Sequence, residues 1–398
     1  MKSKTEFLIL ILLILTNNGF AQQSDNRAPE VTVAETMLSY SEIPYLKKAF
    51  IDAAPMERQD DILVGKLGVD GGNRAMILKL AQDIADNKYG NFDSFLIVHK
   101  NKLLFESYYR RGRINLPHSQ ASVTKSYTSL ALGRAIQLGY LTMADLDKPL
   151  VSFLKNLDST KFVKGVEKIT LHQALTMRGG LNISKEQRER FKKTSASLKG
   201  QGLVQTLLEY SSPITLESQN FLYGNFNPRL VMQVIDAVVP GMAKDFIKHE
   251  LLDKMSITNY SWLTDDISSL PRSGSGTSMI SRDMLKWGIL TINKGQWNGE
   301  QLVPETFIAR ATSKIVDQSD EHDRTAGGVS GTAYGYFWWQ ADLFVGGKSY
   351  LSKAARGGSG QTIIVIEELD LVIVTTTHRE VDDPVSVVAT RILPAFIK

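Results

Sequence analysis

Residues 117–130 read Pro117-His118-Ser119-Gln120-Ala121-Ser122-Val123-Thr124-Lys125-Ser126-Tyr127-Thr128-Ser129-Leu130. Within them Ser122 and Lys125 make an S-x-x-K pair. From Val123 onward, Leu130, Ala131, Ala135, Ile136 and Leu138 recur at helical spacing, and Gly139 fits the C′ position that ends a helix. Ser122 then stands at the helix N-terminus, with Lys125 one turn on along the same face. A helix start offers unpaired N–H groups and the positive end of a dipole, and both favour negative charge at Ser122. A lysine kept neutral by burial can take the hydroxyl proton. The same residues also fit a plainer role, because serine is a common N-cap. The pattern is short, and on the order of one or two chance matches are expected in a chain this long. Ser152-Phe153-Leu154-Lys155 is one of them, read as a helix with a lysine reaching to solvent.

Upstream, Lys2 and Lys4 precede a short apolar run over residues 7–15, too short to span a bilayer. Gly19-Phe20-Ala21 ends in small residues, so residues 1–21 read as a signal peptide cleaved before Gln22. A periplasmic or secreted protein with no stable membrane anchor is expected. The sequence has no cysteine, which removes disulfides, a thiolate zinc site, a cysteine nucleophile and a lipidated N-terminal cysteine. Stability must come from the core, and 398 residues at 43% hydrophobic can supply one. The net charge of +4 is small and interspersed, so nucleic acid is not an expected partner.

Residues 22–70 read as an N-terminal lead-in. Residues 75–85 have helical periodicity. Residues 94–99 and 103–109 are rich in β-formers and make a hairpin across Lys100-Asn101-Lys102. Residues 141–329 read as mainly helical, with an apolar helix over 229–239 and another over 281–293 capped by Ser281. Strands follow over 336–341, 361–367 and 371–377, then a helix over 385–396. Residues 71–140 and 330–398 are therefore expected to share one antiparallel sheet flanked by helices. The helical region packs beside it, with the active site at the seam of a single catalytic domain, an α+β fold.

Other catalytic layouts fit poorly. There is no G-x-S-x-G elbow, and the six histidines (99, 118, 172, 249, 322, 378) lack H-E-x-x-H spacing. His118 reads as a satisfied loop residue, and Asp60-Asp61 and Asp382-Asp383 read as solvated turns. Trp338-Trp339 straddle a strand, so one is core and the other is free to line a pocket.

Over residues 90–395 the chain resembles the serine β-lactamase and penicillin-recognising enzymes. It is most similar to the class C-like branch, which includes carboxylesterases and nylon-oligomer-type amide hydrolases. Ser122-Val123-Thr124-Lys125 supplies the first motif. Tyr223-Gly224-Asn225, inside Phe221-Leu222-Tyr223-Gly224-Asn225-Phe226-Asn227, supplies the second, Tyr-x-Asn. Two lesser stretches, residues 174–181 and 276–284, look familial as well. The third motif departs from Lys-Thr-Gly: Ala355-Arg356-Gly357-Gly358 places Ala355 at the lysine position and Arg356 at the threonine position.

The resemblance implies a β-lactamase/transpeptidase-like fold and an exported serine hydrolase cleaving an ester or amide. In it Ser122 is the nucleophile, Lys125 the base and Tyr223 the proton carrier to the leaving group. Asn225 orders the pocket, and the N–H groups of Ser122 and Gly358 form the oxyanion hole. Gly357 lets substrate approach the backbone, and Arg356 is a candidate for the charge the missing lysine would carry. No cofactor or metal is implied. Two alternatives stay open: a β-lactamase or D-Ala carboxypeptidase, and a non-catalytic ligand-binding protein on the same fold.

Overall fold

The computed structural model describes residues 27–193 and 198–397. The expected signal peptide lies outside the described residues, as does part of the polar stretch 185–199.

The lead-in is not free of the fold: it contributes β1 (Phe50–Asp52), an edge strand. Helix α1 (Arg74–Ala85) starts at Asn73, whose side chain accepts the Met76 N–H, and buries Ile77, Leu80, Ala81 and Ile84 along one stripe. The expected hairpin forms as β2 (Gly90–His99) and β3 (Lys102–Tyr108). Lys100 and Asn101 between them both take positive φ, 50° and 60°, which matches the twist of the two strands.

Strand β4 (His118–Ser119) then leads into α2 (Val123–Gln137), the helix expected after Ser122. Its residues 123–136 are all buried, hydroxyl-bearing ones included, so α2 is a central helix and not an amphipathic surface one.

The middle of the chain holds α3 (Leu171–Leu175), α4 (Lys185–Lys193), α5 (Gly202–Tyr210), α6 (Phe226–Val238), α7 (Ala243–Ile247) and α8 (Ser281–Ile292). Short 3-10 turns join several of them. It is less purely helical than expected, because β5 (Tyr260–Trp262) and β6 (Thr277–Met279) run through it and pair with β4 in the order β4-β6-β5. Strands β7 (Gln296–Trp297) and β8 (Glu300–Gln301) make a small hairpin. Ser281 is not the cap of α8. Ile280 takes that place, and the Ser281 hydroxyl shares a 2.6 Å hydrogen bond with Ser94 of β2, tying helix to sheet.

The late strands are β9 (Val316–Asp317), β10 (Val329–Tyr334), β11 (Trp339–Val345), β12 (Lys348–Gly357), β13 (Gln361–Ile366) and β14 (Leu371–Val381). With the early strands they form one nine-stranded sheet, ordered β1-β3-β2-β14-β13-β12-β11-β10-β9, every neighbour antiparallel. Its far edge begins at Val316, earlier than residue 330, and β10 and β12 are additional to the expected strands. The strand expected from residue 336 starts at Trp339, because the chain bends through Phe337 at φ 61°.

Alternation along the strands builds two cores. Ile364 and Ile373 pack with α1 and the C-terminal helical segment through Ile77, Leu80 and Ile392. Ile363 and Val372 face the opposite way, onto α2 and α8 through Tyr127, Leu130 and Trp287. The result is an α+β sandwich in which the start of α2 meets one end of β12 beneath the helical region.

Candidate active site

The approach to Ser122 is fixed residue by residue. His118 pairs with Met279 and Ser119 with Ser278 across β4 and β6. Fully buried Gln120 donates its backbone N–H to Thr277 O at 2.8 Å and its side-chain amide to His118 O, and accepts from the Tyr127 hydroxyl. Ala121 then turns the chain at φ 45°, a conformation that costs a non-glycine residue on the order of 1–3 kcal/mol and persists only where its surroundings impose it. Ser122 follows as the N-cap by position only. Its backbone is helical, and its side chain makes no capping bond. The plainer role is therefore not the one its hydroxyl plays.

That hydroxyl accepts from Lys125 Nζ at 2.9 Å. Lys125 is 2% exposed and gives its second bond to the Gly274 carbonyl at 2.8 Å. Burial drives its pKa down from 10.5 to about 8, so roughly a tenth of the amine is already neutral at pH 7. Gly274 sits at the crossing of two demands. It offers its carbonyl to Lys125, and a Cβ there would lie 2.4 Å from Asn225 Oδ1. Nothing in the sequence around Ser273-Gly274-Ser275-Gly276 marks this role beyond a run of small residues.

Tyr223 comes from the loop ahead of α6. Its ring centroid lies 4.8 Å from Lys125 Nζ and 5.7 Å from the Trp339 ring, with Tyr334 edge-on at 6.0 Å. Partial burial raises the Tyr223 pKa, while the Ser122 hydroxyl and the Arg356 charge pull it back. Trp338 is the core member of the tryptophan pair and Trp339 the one beside the site. Asn225 packs against Gly274, as noted, and with Tyr223 lines a cleft of about 500 Å³.

The third stretch runs along β12. Ala355 is fully buried in the core that holds α2, whereas Ala354 belongs to the opposite core. By alternation Gly357 faces α2 with Ala355, and Arg356 projects to the other side. A Cβ on Gly357 would lie 2.4 Å from Gln120 O and 3.2 Å from Ala121 Cβ, so only glycine lets β12 close on the turn before Ser122. Gly358 follows with open space over its Cα. Arg356 Nη2 is held by Asp383 Oδ1 at 2.7 Å, so Asp383 is an ion-pair partner and not merely a solvated turn. The same correction applies to Asp60, which pairs with the buried Arg282 at 2.9 Å.

The structure thus brings Ser122, Lys125, Tyr223 and Asn225 around one point. Gly357 lies against the same turn, and Arg356, held by Asp383, is near enough for its charge to act on Tyr223. His118 is satisfied, as expected, but in a buried cluster the sequence did not announce. Fully buried Asp93 accepts from Tyr40 at 2.5 Å, from His378 at 2.7 Å and from His118 at 3.2 Å. Burial alone would raise the Asp93 pKa, but hydrogen bonds from His118, His378 and Tyr40 outweigh it and hold the carboxyl at about 2.

Comparison with known proteins agrees with this fold. The fold is similar to that of a class C beta-lactamase (TM-score 0.57, 14% identity, covering 81% of this chain and 95% of the other). It is also similar to a Bacillus anthracis protein described as a 6-aminohexanoate-dimer hydrolase (0.53, 19%, 89% and 92%). A third is a hydrolase with promiscuous acyltransferase activity (0.55, 14%, 76% and 93%). At these identities the likeness shows the β-lactamase/transpeptidase-like fold. The family model Beta-lactamase matches residues 93–395, most of the chain, and so this chain belongs to the beta-lactamase family.

Proposed function

We propose that this protein is a serine hydrolase that cleaves an ester or amide through an acyl-enzyme on Ser122. The observation that carries the reading is the 2.9 Å contact between Ser122 Oγ and a buried Lys125 whose pKa lies at about 8. Neutral Lys125 takes the hydroxyl proton as Ser122 Oγ bonds to the substrate carbonyl carbon. The N–H groups of Ser122 and Gly358 stabilise the oxyanion. As the tetrahedral intermediate collapses, the Tyr223 hydroxyl protonates the departing alcohol or amine and is reprotonated from the Lys125 ammonium. Water then attacks the acyl carbonyl carbon as Lys125 accepts its proton; the bond from that carbon to Ser122 Oγ breaks, Oγ takes the proton back from the Lys125 ammonium, and the acid is released. Proteins of similar fold described as a 6-aminohexanoate-dimer hydrolase, a D-stereospecific amidohydrolase and a hydrolase with promiscuous acyltransferase activity support the substrate class.

Penicillin-type substrates are disfavoured. Ala355 offers no ammonium, and Arg356 is already paired with Asp383. A β-lactam carboxylate would lack a charge-assisted bond of about 1.5–3 kcal/mol that a neutral ester does not need. The test is a hydrolysis screen of p-nitrophenyl esters, short amides and nitrocefin, run beside fluorophosphonate labelling and the Ser122→Ala variant. Labelling of the Ser122 peptide, with p-nitrophenyl butyrate turned over faster than nitrocefin, is the expected outcome. Unlabelled protein with no Ser122-dependent turnover would favour the non-catalytic alternative, and nitrocefin as the better substrate would favour the β-lactamase one. We also infer export with cleavage after Ala21, supported by the basic, apolar and small-residue order of residues 2–21. The intact mass of periplasmic protein checks it, and full-length chain in the cytoplasm contradicts it.

A further inference from the structure

Beside the catalytic residues lies a cleft of about 500 Å³ between the loop of Tyr223 and Asn225 and the segment from Leu181 to α4. Its wall is shared with the reacting groups. Tyr223 touches Lys125 on one side, Asn225 backs onto the Lys125 acceptor Gly274, and both line the cleft. A substrate with its carbonyl at Ser122 therefore has this space next to it.

The chemistry of the walls is one-sided. Leu181, Ile183 and Leu222 supply apolar surface, while Arg188 and Arg229 supply two guanidinium groups. Among the described residues, no acidic side chain lines the cleft. Arg229 is anchored by Asp265 at 2.9 Å, which fixes its position and leaves further N–H donors on its fork. Arg188 is exposed on α4, where residues 185–193 carry five basic side chains against two acidic ones. Helix α6 begins at the cleft without a side-chain cap, so its positive end adds to the same potential.

We infer that this cleft is a substrate subsite for a short aliphatic chain ending in a carboxylate, making the enzyme selective for anionic esters or amides. The inference rests on the serine-hydrolase reading above. The apolar walls fit methylene groups; the Arg188 guanidinium, whose charge no ion pair among the described residues offsets, fits a carboxylate, and Arg229, its charge offset by Asp265, adds the remaining N–H donors of its fork. The anion is free to belong to the acyl half or to the leaving group, and the two are separable by experiment.

The acyl arm compares mono-p-nitrophenyl adipate with p-nitrophenyl hexanoate. The leaving-group arm compares 4-(hexanoyloxy)benzoate with its methyl ester. Rates of Ser122→Ala are subtracted as background. In one arm the anionic ester is expected to exceed its neutral partner at least tenfold in kcat/KM. Arg188→Glu is expected to lower that ratio at least tenfold, and added salt to lower it further. Ser122-dependent turnover with no anionic preference in either arm overturns the subsite and leaves the hydrolase reading intact. If no ester shows Ser122-dependent turnover, the hydrolase reading fails, and calorimetric titration with adipate decides the subsite alone. Adipate binding that Arg188→Glu weakens supports it, and the absence of binding overturns it.

Discussion

The chain contains the same four-residue pattern twice, thirty positions apart, and the two copies behave differently. In Ser122-Val123-Thr124-Lys125 the lysine is 2% exposed, bonds the serine at 2.9 Å and is brought by burial to a pKa of about 8. In Ser152-Phe153-Leu154-Lys155 both polar residues are exposed, and the Ser152 hydroxyl donates to the Pro149 carbonyl at 2.7 Å within a 3-10 turn. The first pair lies between a nine-stranded sheet and the helical region, the second on the outside of that region. Spacing alone therefore makes no nucleophile. What the first copy has and the second lacks is a buried lysine with a lowered pKa, with Gly274 O as its second acceptor, beside a serine presented by Ala121 at φ 45°.

The most damaging change to this contrast is Ser122→Ala. It is expected to reduce kcat on a p-nitrophenyl ester by at least about 10⁴-fold, because no other described group stands at the end of Lys125 to form the acyl-enzyme. Folding should be almost untouched. The Ser122 side chain makes no capping bond, and the change removes only its hydrogen bond with Lys125, about 1 kcal/mol, which a thermal melt reads as a shift of about 2–4 °C.

Next comes Lys125→Arg. It keeps the charge but removes the proton acceptor, since a guanidinium does not deprotonate in proteins. A loss of about 10²–10⁴-fold is expected. In the wild type the sign of the pH dependence follows from the depressed pKa. Below about pH 8 Lys125 is mostly an ammonium and cannot accept the Ser122 proton; above it the amine is free. The profile of kcat/KM on a neutral ester should thus rise through a single limb centred near 8 and then level off. A flat profile, or an Arg variant within about tenfold of wild type (~1.4 kcal/mol), would transfer the base role to Tyr223.

Tyr223→Phe is expected to cost less, about 10²-fold in kcat, because its hydroxyl moves a proton that other routes can also carry. The stack on Trp339 and Tyr334 survives the change, so KM should shift little. An equal loss in kcat on p-nitrophenyl and alkyl esters would argue against leaving-group protonation. A poor leaving group such as an alkyl alcohol needs that proton more than p-nitrophenolate does.

What the sequence showed of this site follows a physical divide. The helix after Ser122, the hairpin through Lys100 and Asn101 and the apolar strands at β13 and β14 are local patterns, and they read directly. β12 did not, because a central strand spelled Lys348-Ser349-Tyr350-Leu351-Ser352-Lys353-Ala354-Ala355-Arg356-Gly357 is polar at one end and small at the other. β10 carries Gly331 at φ 55° and a register shift that break its alternation. Asp60, Asp93 and Asp383 looked solvated or unremarkable because their partners are distant: Arg282 lies 222 positions from Asp60, and His378 lies 285 from Asp93. The acceptor role of Gly274 is equally invisible, since a backbone carbonyl leaves no mark on residue type.

The smallest expected effect belongs to the second copy of the motif. Ser152→Ala removes one exposed hydroxyl that donates to Pro149 O, worth at most about 1 kcal/mol of stability. Activity should stay within about twofold of wild type, and fluorophosphonate should leave the Ser152 peptide unmodified. The reason is burial. Ser152 and Lys155 are both exposed, and the Ser152 hydroxyl is turned onto Pro149 O instead of being held against the lysine. The Ser122→Ala protein offers the sharper version, because it retains Ser152 and Lys155 intact. If its residual rate equals that of the Ser122→Ala/Ser152→Ala double variant, the solvated copy contributes nothing, and burial rather than spacing is what separates the two. If the double variant is slower, the second copy carries chemistry of its own and the contrast between the two regions fails.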